Sequence, residues 1–489
     1  MSVSHSPVEI SQPAQPSSIS ALGSLQLPST DTITVNAHAT AAATDPCVHC
    51  GFCLPTCASY RALGTEMDSP RGRIHTLKAI EAGELELDAT VAGHFDSCLG
   101  CFACVTACPS GVRYDQLIEA TRPRLNAPEL RSPAQRAFRR LLFALLPYPQ
   151  RLRTALAPLR GYSGSALQTL ARRAGLTRLL GPQLQAMEQL LPPLAPAAFR
   201  DSWPLVVPAQ GERRARVGLV LGCVQRLFDP AVNAAAIRVL SANGIEVVIP
   251  PAQGCCGAVT HHQGELAQTE ALASALIDSF AAVVGPGKAA GAEPLEAVLV
   301  AASGCGHTLK HYDRILAEQP AWAARGSAFA SQVRDIQEFL CSLGLSDAFS
   351  ASLEPLPHAD GAAATAERPL PLAYHDACHM LHGQGISTEP RALLRQIPHV
   401  RLREATEAGV CCGSAGIYNL VQPEEAATLG RLKADDLAGT GAAIAVSANV
   451  GCSLQIRRHL AESADPHQRA MTVAHPIELL DRSSRLCRP

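Results

Sequence analysis

The sequence predicts a multidomain α+β chain, in which a small α-helical cysteine-rich domain precedes two repeated α/β modules that each carry a Cys-Cys-Gly turn. Three observations predict it. Eight of the 18 cysteines fall between Cys47 and Cys108. Eight more recur in two copies of one order, each close behind a strand-like run. Between the groups lies a cysteine-free stretch with Leu and Ala at helical spacing.

Composition bounds the class. At roughly 150 residues per domain, 489 residues suggest about three domains. Apolar residues make up 47%, enough for packed cores. A net charge of -2 and 4% aromatics offer neither a basic field nor base-stacking platforms, so no nucleic-acid partner is expected. No apolar run approaches the roughly 18 residues of a membrane span. The first basic residue is Arg61, so neither a secretory nor a transit peptide is expected. In the resulting intracellular setting thiols stay reduced, and 18 cysteines point to metal or redox chemistry instead of disulfides.

In chain order, residues 1–44 are rich in Ser, Pro, Ala and Thr and read as a disordered extension. Residues 45–125 hold the first eight cysteines. Residues 126–191 read as a helical connector. Its Arg151, Arg153, Arg160, Arg172, Arg173 and Arg178 suggest first a solvated face, and second a docking face for a partner or membrane surface. Proline-rich residues 192–214 read as a linker, 215–353 as the first module, 354–371 as a second linker and 372–489 as the second module.

The first eight cysteines form two runs, Cys47-Val48-His49-Cys50-Gly51-Phe52-Cys53 with Cys57, and Cys98-Leu99-Gly100-Cys101-Phe102-Ala103-Cys104 with Cys108-Pro109. Both have the spacing C-x2-C-x2-C-x3-C of a two-[4Fe-4S] ferredoxin-type domain. Two intervening residues let a tight loop aim three thiolates at one cubane, while the fourth cysteine reaches the other cluster. The expected ligands are Cys47, Cys50, Cys53 and Cys108 for the first [4Fe-4S], and Cys98, Cys101, Cys104 and Cys57 for the second. Structural zinc is the weaker alternative, because zinc motifs use paired C-x2-C units with a longer spacer.

In the first module, Val217–Leu221 leads to Gly222-Cys223, and Ile245–Ile249 leads to Gly254-Cys255-Cys256-Gly257. A helical stretch, Ala271–Val284, then precedes Ala297–Ala302 and Gly304-Cys305. In the second, Leu372–His375 leads to Cys378, and Gly409-Val410 precedes Cys411-Cys412-Gly413. A helical stretch, Glu424–Leu437, then precedes Ala443–Ala448 and Gly451-Cys452. Alternating strands and helices imply a parallel sheet, with chemistry at the carboxyl ends of its strands. Cys223, Cys255, Cys256 and Cys305, and Cys378, Cys411, Cys412 and Cys452, are therefore candidates for further metal or iron-sulfur sites. A redox-active thiol site and plain buried cysteines are the alternatives. Of the histidines, His375 and His379 beside Cys378 have the strongest claim to a cofactor, and Cys341 and Cys487 fall outside the pattern. Gly285-Pro286-Gly287-Lys288 mimics a nucleotide loop but follows a helix instead of a strand, and no flavin or nicotinamide fingerprint is found. No catalytic residue is assigned.

From about residue 45 onward, the chain resembles the bacterial glycolate oxidase (glycolate dehydrogenase) iron-sulfur subunits. The resemblance rests on Cys47–Cys53, Asp68-Ser69-Pro70-Arg71-Gly72-Arg73-Ile74, Cys108–Tyr114, Ala302–Gly306, Cys411–Gly416 and Ala448–Cys452. It implies an electron-transfer subunit of a flavin-dependent complex that oxidises glycolate to glyoxylate. FAD would lie on partner dehydrogenase subunits, and a quinone or other membrane acceptor would take the electrons. It also implies peripheral attachment at the cytoplasmic face of the inner membrane. Related lactate or glycerol-3-phosphate dehydrogenases, and heterodisulfide-reductase-like catalytic subunits, share the motifs. Against the last, Cys305 and Cys452 lack the following C-x2-C partner, so the fifth thiol of a noncubane cluster is missing.

Overall fold

A computed structural model describes residues 43, 45–200 and 202–488. The expected extension over 1–44 lies outside the described residues except for Ala43. The α+β class is borne out.

The N-terminal domain is helical. Helix α1 (Ala58–Leu63) starts directly after Cys57. Helix α2 (Pro70–Glu81) starts where the Ser69 side chain accepts the Gly72 N–H at 3.0 Å and Pro70 supplies a preset first turn. Helix α3 (Ala89–Asp96) starts on Asp88, which accepts the Val91 N–H at 2.8 Å. The short α4 (Ala103–Thr106) and α5 (Tyr114–Thr121) follow. Ile74, Leu77, Phe95, Leu117, Ile118 and Leu125 form the core, and Cys98 and Cys104 pack into it.

Four helices span the connector: α6 (Pro133–Leu145), α7 (Pro149–Leu156), α8 (Ala166–Arg173) and α9 (Pro182–Gln189). A Ser132–Gln135 capping box opens α6.

The first module is a five-stranded sheet of order β1-β3-β2-β4-β5. Its strands are β1 (Val206–Val207), β2 (Ala215–Val220), β3 (Ile245–Val248), β4 (Ala297–Val300) and β5 (Val333–Asp335). The second is a four-stranded sheet of order β7-β6-β8-β9. It contains β6 (Leu370–His375), β7 (Val400–Glu404), β8 (Ile444–Ser447) and β9 (Thr472–Ala474). Without the antiparallel edge strand β1, both are parallel and follow one connectivity. The repeat is thus a repeat of fold.

Several details differ from the sequence reading. Each copy has a fourth strand, β5 or β9, of only three residues, too short for a periodic signal. Strand β7 lies at Val400–Glu404, while Gly409-Val410 is a turn before Cys411. Its Val-Arg-Leu-Arg-Glu sequence is that of a charged edge strand. The 192–214 segment supplies β1, paired with β3. In the 354–371 segment, Leu356, Ala364 and Leu370 are buried in a core that also holds Val217, Leu219, Leu372, Val446 and Ile477. The two sheets therefore share one core, and Cys341 and Cys487 pack there.

Candidate metal centres

The two ferredoxin-type runs fold alike. Left-handed backbone occurs two and four residues after the first cysteine of each run: at His49 (φ 54°) and Gly51 (φ 85°), and at Gly100 (φ 57°) and Phe102 (φ 62°). These reversals curl each loop around a cavity. One cavity is lined by Cys47, Cys50, Cys53 and Cys108, with Cys104 also reaching it. The other is lined by Cys57, Cys98, Cys101 and Cys104. Eight thiols in two such groups suit iron-sulfur clusters by donor type and number. The Gly100 N–H points at the Cys98 sulfur at 3.4 Å, and the Tyr114 hydroxyl at 3.7 Å. Burial pushes the Cys53 thiol up to about 11, and Cys101 and Cys104 are raised for the same reason. Ligation would therefore release protons.

The two cavities differ in exposure. Cys50 is exposed, and it is flanked by Val48 and Phe52, which are 69% and 65% exposed. The second cavity is interior, with Cys57, Cys98 and Cys104 buried.

Residues that sequence reasoning passed over hold these loops. In the Asp68–Ile74 motif, Arg71 Nη1 donates to the His49 carbonyl at 3.2 Å. Arg73 is 1% exposed; its Nη2 donates to Ser97 at 2.7 Å and Ser59 at 3.1 Å, and its Nε donates to the His94 carbonyl at 2.6 Å. Burial opposes its charge, but Tyr114, Cys98, Cys57 and Asp68 leave its pKa raised. A fixed cation thus sits beside the second thiol group. Gly72 is required because a Cβ there would lie 2.0 Å from the Glu66 carbonyl oxygen. The motif itself was visible in sequence, but not its purpose.

The second run rests on the modules. Arg122 Nη2 donates to the Cys98 carbonyl at 3.0 Å, and Nη1 lies 3.0 Å from His262 Nδ1. His379 Nε2 lies 2.9 Å from the Gly100 carbonyl, and its ring stacks on Phe102 at 5.2 Å. Burial lowers His379 to about 4 and also lowers His262 and His307, so these three imidazoles are neutral at neutral pH beside the Arg122 guanidinium. Cys101, Cys378 and Cys411 share one packed cluster with Leu99. The second thiol group therefore abuts the second module.

All eight cysteines of the repeated pattern lie behind a strand end, as the parallel-sheet rule predicts. In the first module, Cys223 and Cys255 sulfurs are 3.2 Å apart, and Cys256 is hydrogen-bonded to Cys255 and Cys305. In the second, Cys411 bonds Cys378 and Cys412, and Cys412 bonds Cys452. Hydrogen bonds from neighbouring thiols lower Cys256 and Cys412 well below the usual thiol range, and for Cys412 the His375 imidazole adds to the effect. Both groups open on one cleft between the modules.

Similarities to known proteins fall on the same divisions. The 4Fe-4S dicluster domain profile matches residues 43–112, and the cysteine-rich domain profile matches 217–310 and 372–457. The profile described as the linker region of the glycolate oxidase iron-sulfur subunit matches 134–191. The probable glycolate oxidase iron-sulfur subunit of Bacillus subtilis is 35% identical over 413 residues, covering 84% of this chain and 88% of that protein. The glycolate oxidase iron-sulfur subunit of Escherichia coli is 32% identical over 439 residues, 89% of this chain and 93% of that protein. The chain belongs to the glycolate oxidase iron-sulfur subunit family. Lactate utilization protein A of Halalkalibacterium halodurans is a more distant relative, 24% identical over 55% of this chain and 98% of that protein. The glycolate oxidase family linker coincides with the α6–α9 connector, a segment without any cysteine.

Proposed function

We infer that the chain is the electron-transferring iron-sulfur subunit of a glycolate-oxidising complex. Flavin-bearing partner subunits would take the hydride from glycolate, and a quinone-type acceptor would receive the electrons. The observation that carries this reading is the line of thiol groups. It begins at the exposed Cys50 loop, continues through the buried Cys57–Cys98–Cys101–Cys104 group, and reaches the second module through Cys101 and Cys378. When bound, [4Fe-4S] clusters supply one-electron transfer. The protein's own part is to hold the thiolates, to place Arg73 beside the inner group, and to keep Val48 and Phe52 at the surface as a docking edge. Cys47, Cys50, Cys53 and Cys108 are assigned to the outer cluster, and Cys57, Cys98, Cys101 and Cys104 to the inner one.

Activity with partners tests the role. The purified chain alone should not oxidise glycolate, and glycolate-dependent quinone reduction should appear only after flavoprotein subunits are added. Glycolate oxidation by the isolated chain would overturn the assignment. Cys57→Ser should perturb the inner cluster's paramagnetic signal, and Cys108→Ser the outer one's. The reverse pattern would refute the crossed ligand sets.

Peripheral membrane attachment belongs to the same proposal. No helix among the described residues is long and apolar enough to cross a membrane. The connector offers an alternative: Leu167, Leu170, Leu176 and Leu179 are exposed beside Arg172, Arg173 and Arg178.

A further inference from the structure

We propose that His375 is a metal ligand and that the second module holds a mixed imidazole-thiolate centre, which the first module cannot form. The inference does not depend on which substrate the complex oxidises.

The argument starts from pairing. His375 is the last residue of β6 and is fully buried. Neither ring nitrogen meets an oxygen or nitrogen partner, and its one polar neighbour is the Cys412 sulfur. Four other buried or half-buried histidines, His261, His262, His459 and His475, each leave one nitrogen unpaired but engage the other. Among the described residues, His375 alone leaves both. A buried polar atom without a partner is costly, so a side chain with two of them signals a group that would satisfy it.

The surroundings identify that group. One nitrogen of His375 and the sulfurs of Cys412 and Cys452 lie within 4.8 Å of one another, and all three residues are buried. Cys411 bonds Cys412 and can complete a fourfold donor set. One imidazole with two or three thiolates suits a thiophilic transition metal, either iron within a cluster or a single zinc ion. Calcium and magnesium, which require oxygen donors, do not fit.

Comparison of the copies makes the site specific. Strands β2 and β6 each end three residues before the first cysteine of their module: Val220 precedes Cys223 as His375 precedes Cys378. The register agrees, because Val220 pairs with Val300 while His375 pairs with Ser447. Val220 is buried among apolar side chains and offers no ligand atom. The first module is therefore all-thiol at its centre. Where a cluster is bound, exchange of cysteine for histidine raises its potential, so the two modules would be electrochemically distinct.

The test uses the full chain, purified anaerobically without a histidine tag and carrying 15N-labelled histidine. Iron and zinc are counted per chain. Nitrogen ligation is read by pulsed electron paramagnetic resonance at iron and by X-ray absorption at zinc. Wild type should show histidine nitrogen bound to one metal, and the edge at which it appears tells iron from zinc. His375→Ala should lose that nitrogen signal together with the second module's metal. His375→Cys, which retains a ligand, should keep wild-type metal content and lose only the nitrogen signal. Absence of histidine nitrogen from every metal in wild type, or its persistence in both variants, would overturn the proposal.

Discussion

At the residue scale, Gly100 illustrates how a loop backbone can control a cluster. Its φ of 57° disfavours any residue with a Cβ, at about 1–2 kcal/mol. A Cβ there would also lie 2.8 Å from Arg122 Nη2 and 3.1 Å from His262. Arg122 cannot swing away freely, because it is buried and holds the Cys98 carbonyl. Gly100→Ala should therefore loosen the inner loop and leave the outer one intact. Expected is the loss of about four irons per chain, one cluster's worth, with the outer cluster's resonance signal retained. Full iron content would refute the packing argument. The cysteines themselves were legible in sequence because their spacing is local. Arg73 and Arg122 were not, because their roles depend on contacts 14 to 140 residues away.

At the element scale, the C-terminal helix over Pro476–Ser483 starts on an unusual cap. His475 Nδ1 accepts the Ile477 N–H at 3.1 Å, and Glu478 closes the capping box. Burial depresses the imidazole to about 3, against about 6.5 in the unfolded chain. Above pH 6.5 the residue is neutral in both states. As pH falls toward 3 the unfolded state takes the proton first, so stability is lost over that window at up to about 1.4 kcal/mol per unit. His475→Asn keeps a cap acceptor without titrating. Anaerobic urea unfolding between pH 7 and 5 should show a shallower acid loss in this variant; parallel curves would remove His475 as the cause. Legibility at this scale followed burial. Strands β2 and β4, buried along their whole length, read as continuous apolar runs. The charged edge strand β7 and the three-residue β5 and β9 left no such pattern.

At the scale of the whole molecule, the order of a helical cysteine-rich domain and two α/β copies was legible, because strand-then-cysteine recurs. Their fusion around one core was not, since Leu356 and Ala364 lie in a stretch that reads as linker. The connector is the remaining puzzle, and its inverted polarity gives it a use. Helix α8 buries Gln168, which accepts the Gly164 N–H at 2.7 Å and donates to Glu188 at 3.0 Å, while Leu167 and Leu170 are each 62% exposed. Leu179, on the following turn, is 85% exposed. Residues 134–191 contain nine arginines and one acidic residue, Glu188, in a chain of net charge -2. Arg172 neutralises that glutamate at 3.0 Å. Leucines ringed by arginines match an anionic lipid surface: the apolar side chains enter the interface, and each cation near it adds about 1 kcal/mol. The chain should therefore sediment with phosphatidylglycerol-containing vesicles and much less with phosphatidylcholine alone, and added salt should weaken the binding by screening. Replacing Leu167, Leu170 and Leu179 together by Ser should reduce partitioning by about a thousandfold on full insertion, since each buried leucine contributes roughly 1.5–3 kcal/mol. Iron content should not change, because none of the three belongs to a core cluster. If wild type ignores anionic vesicles and the triple variant instead fails to co-purify with flavoprotein subunits, the face is a subunit interface and the membrane reading falls.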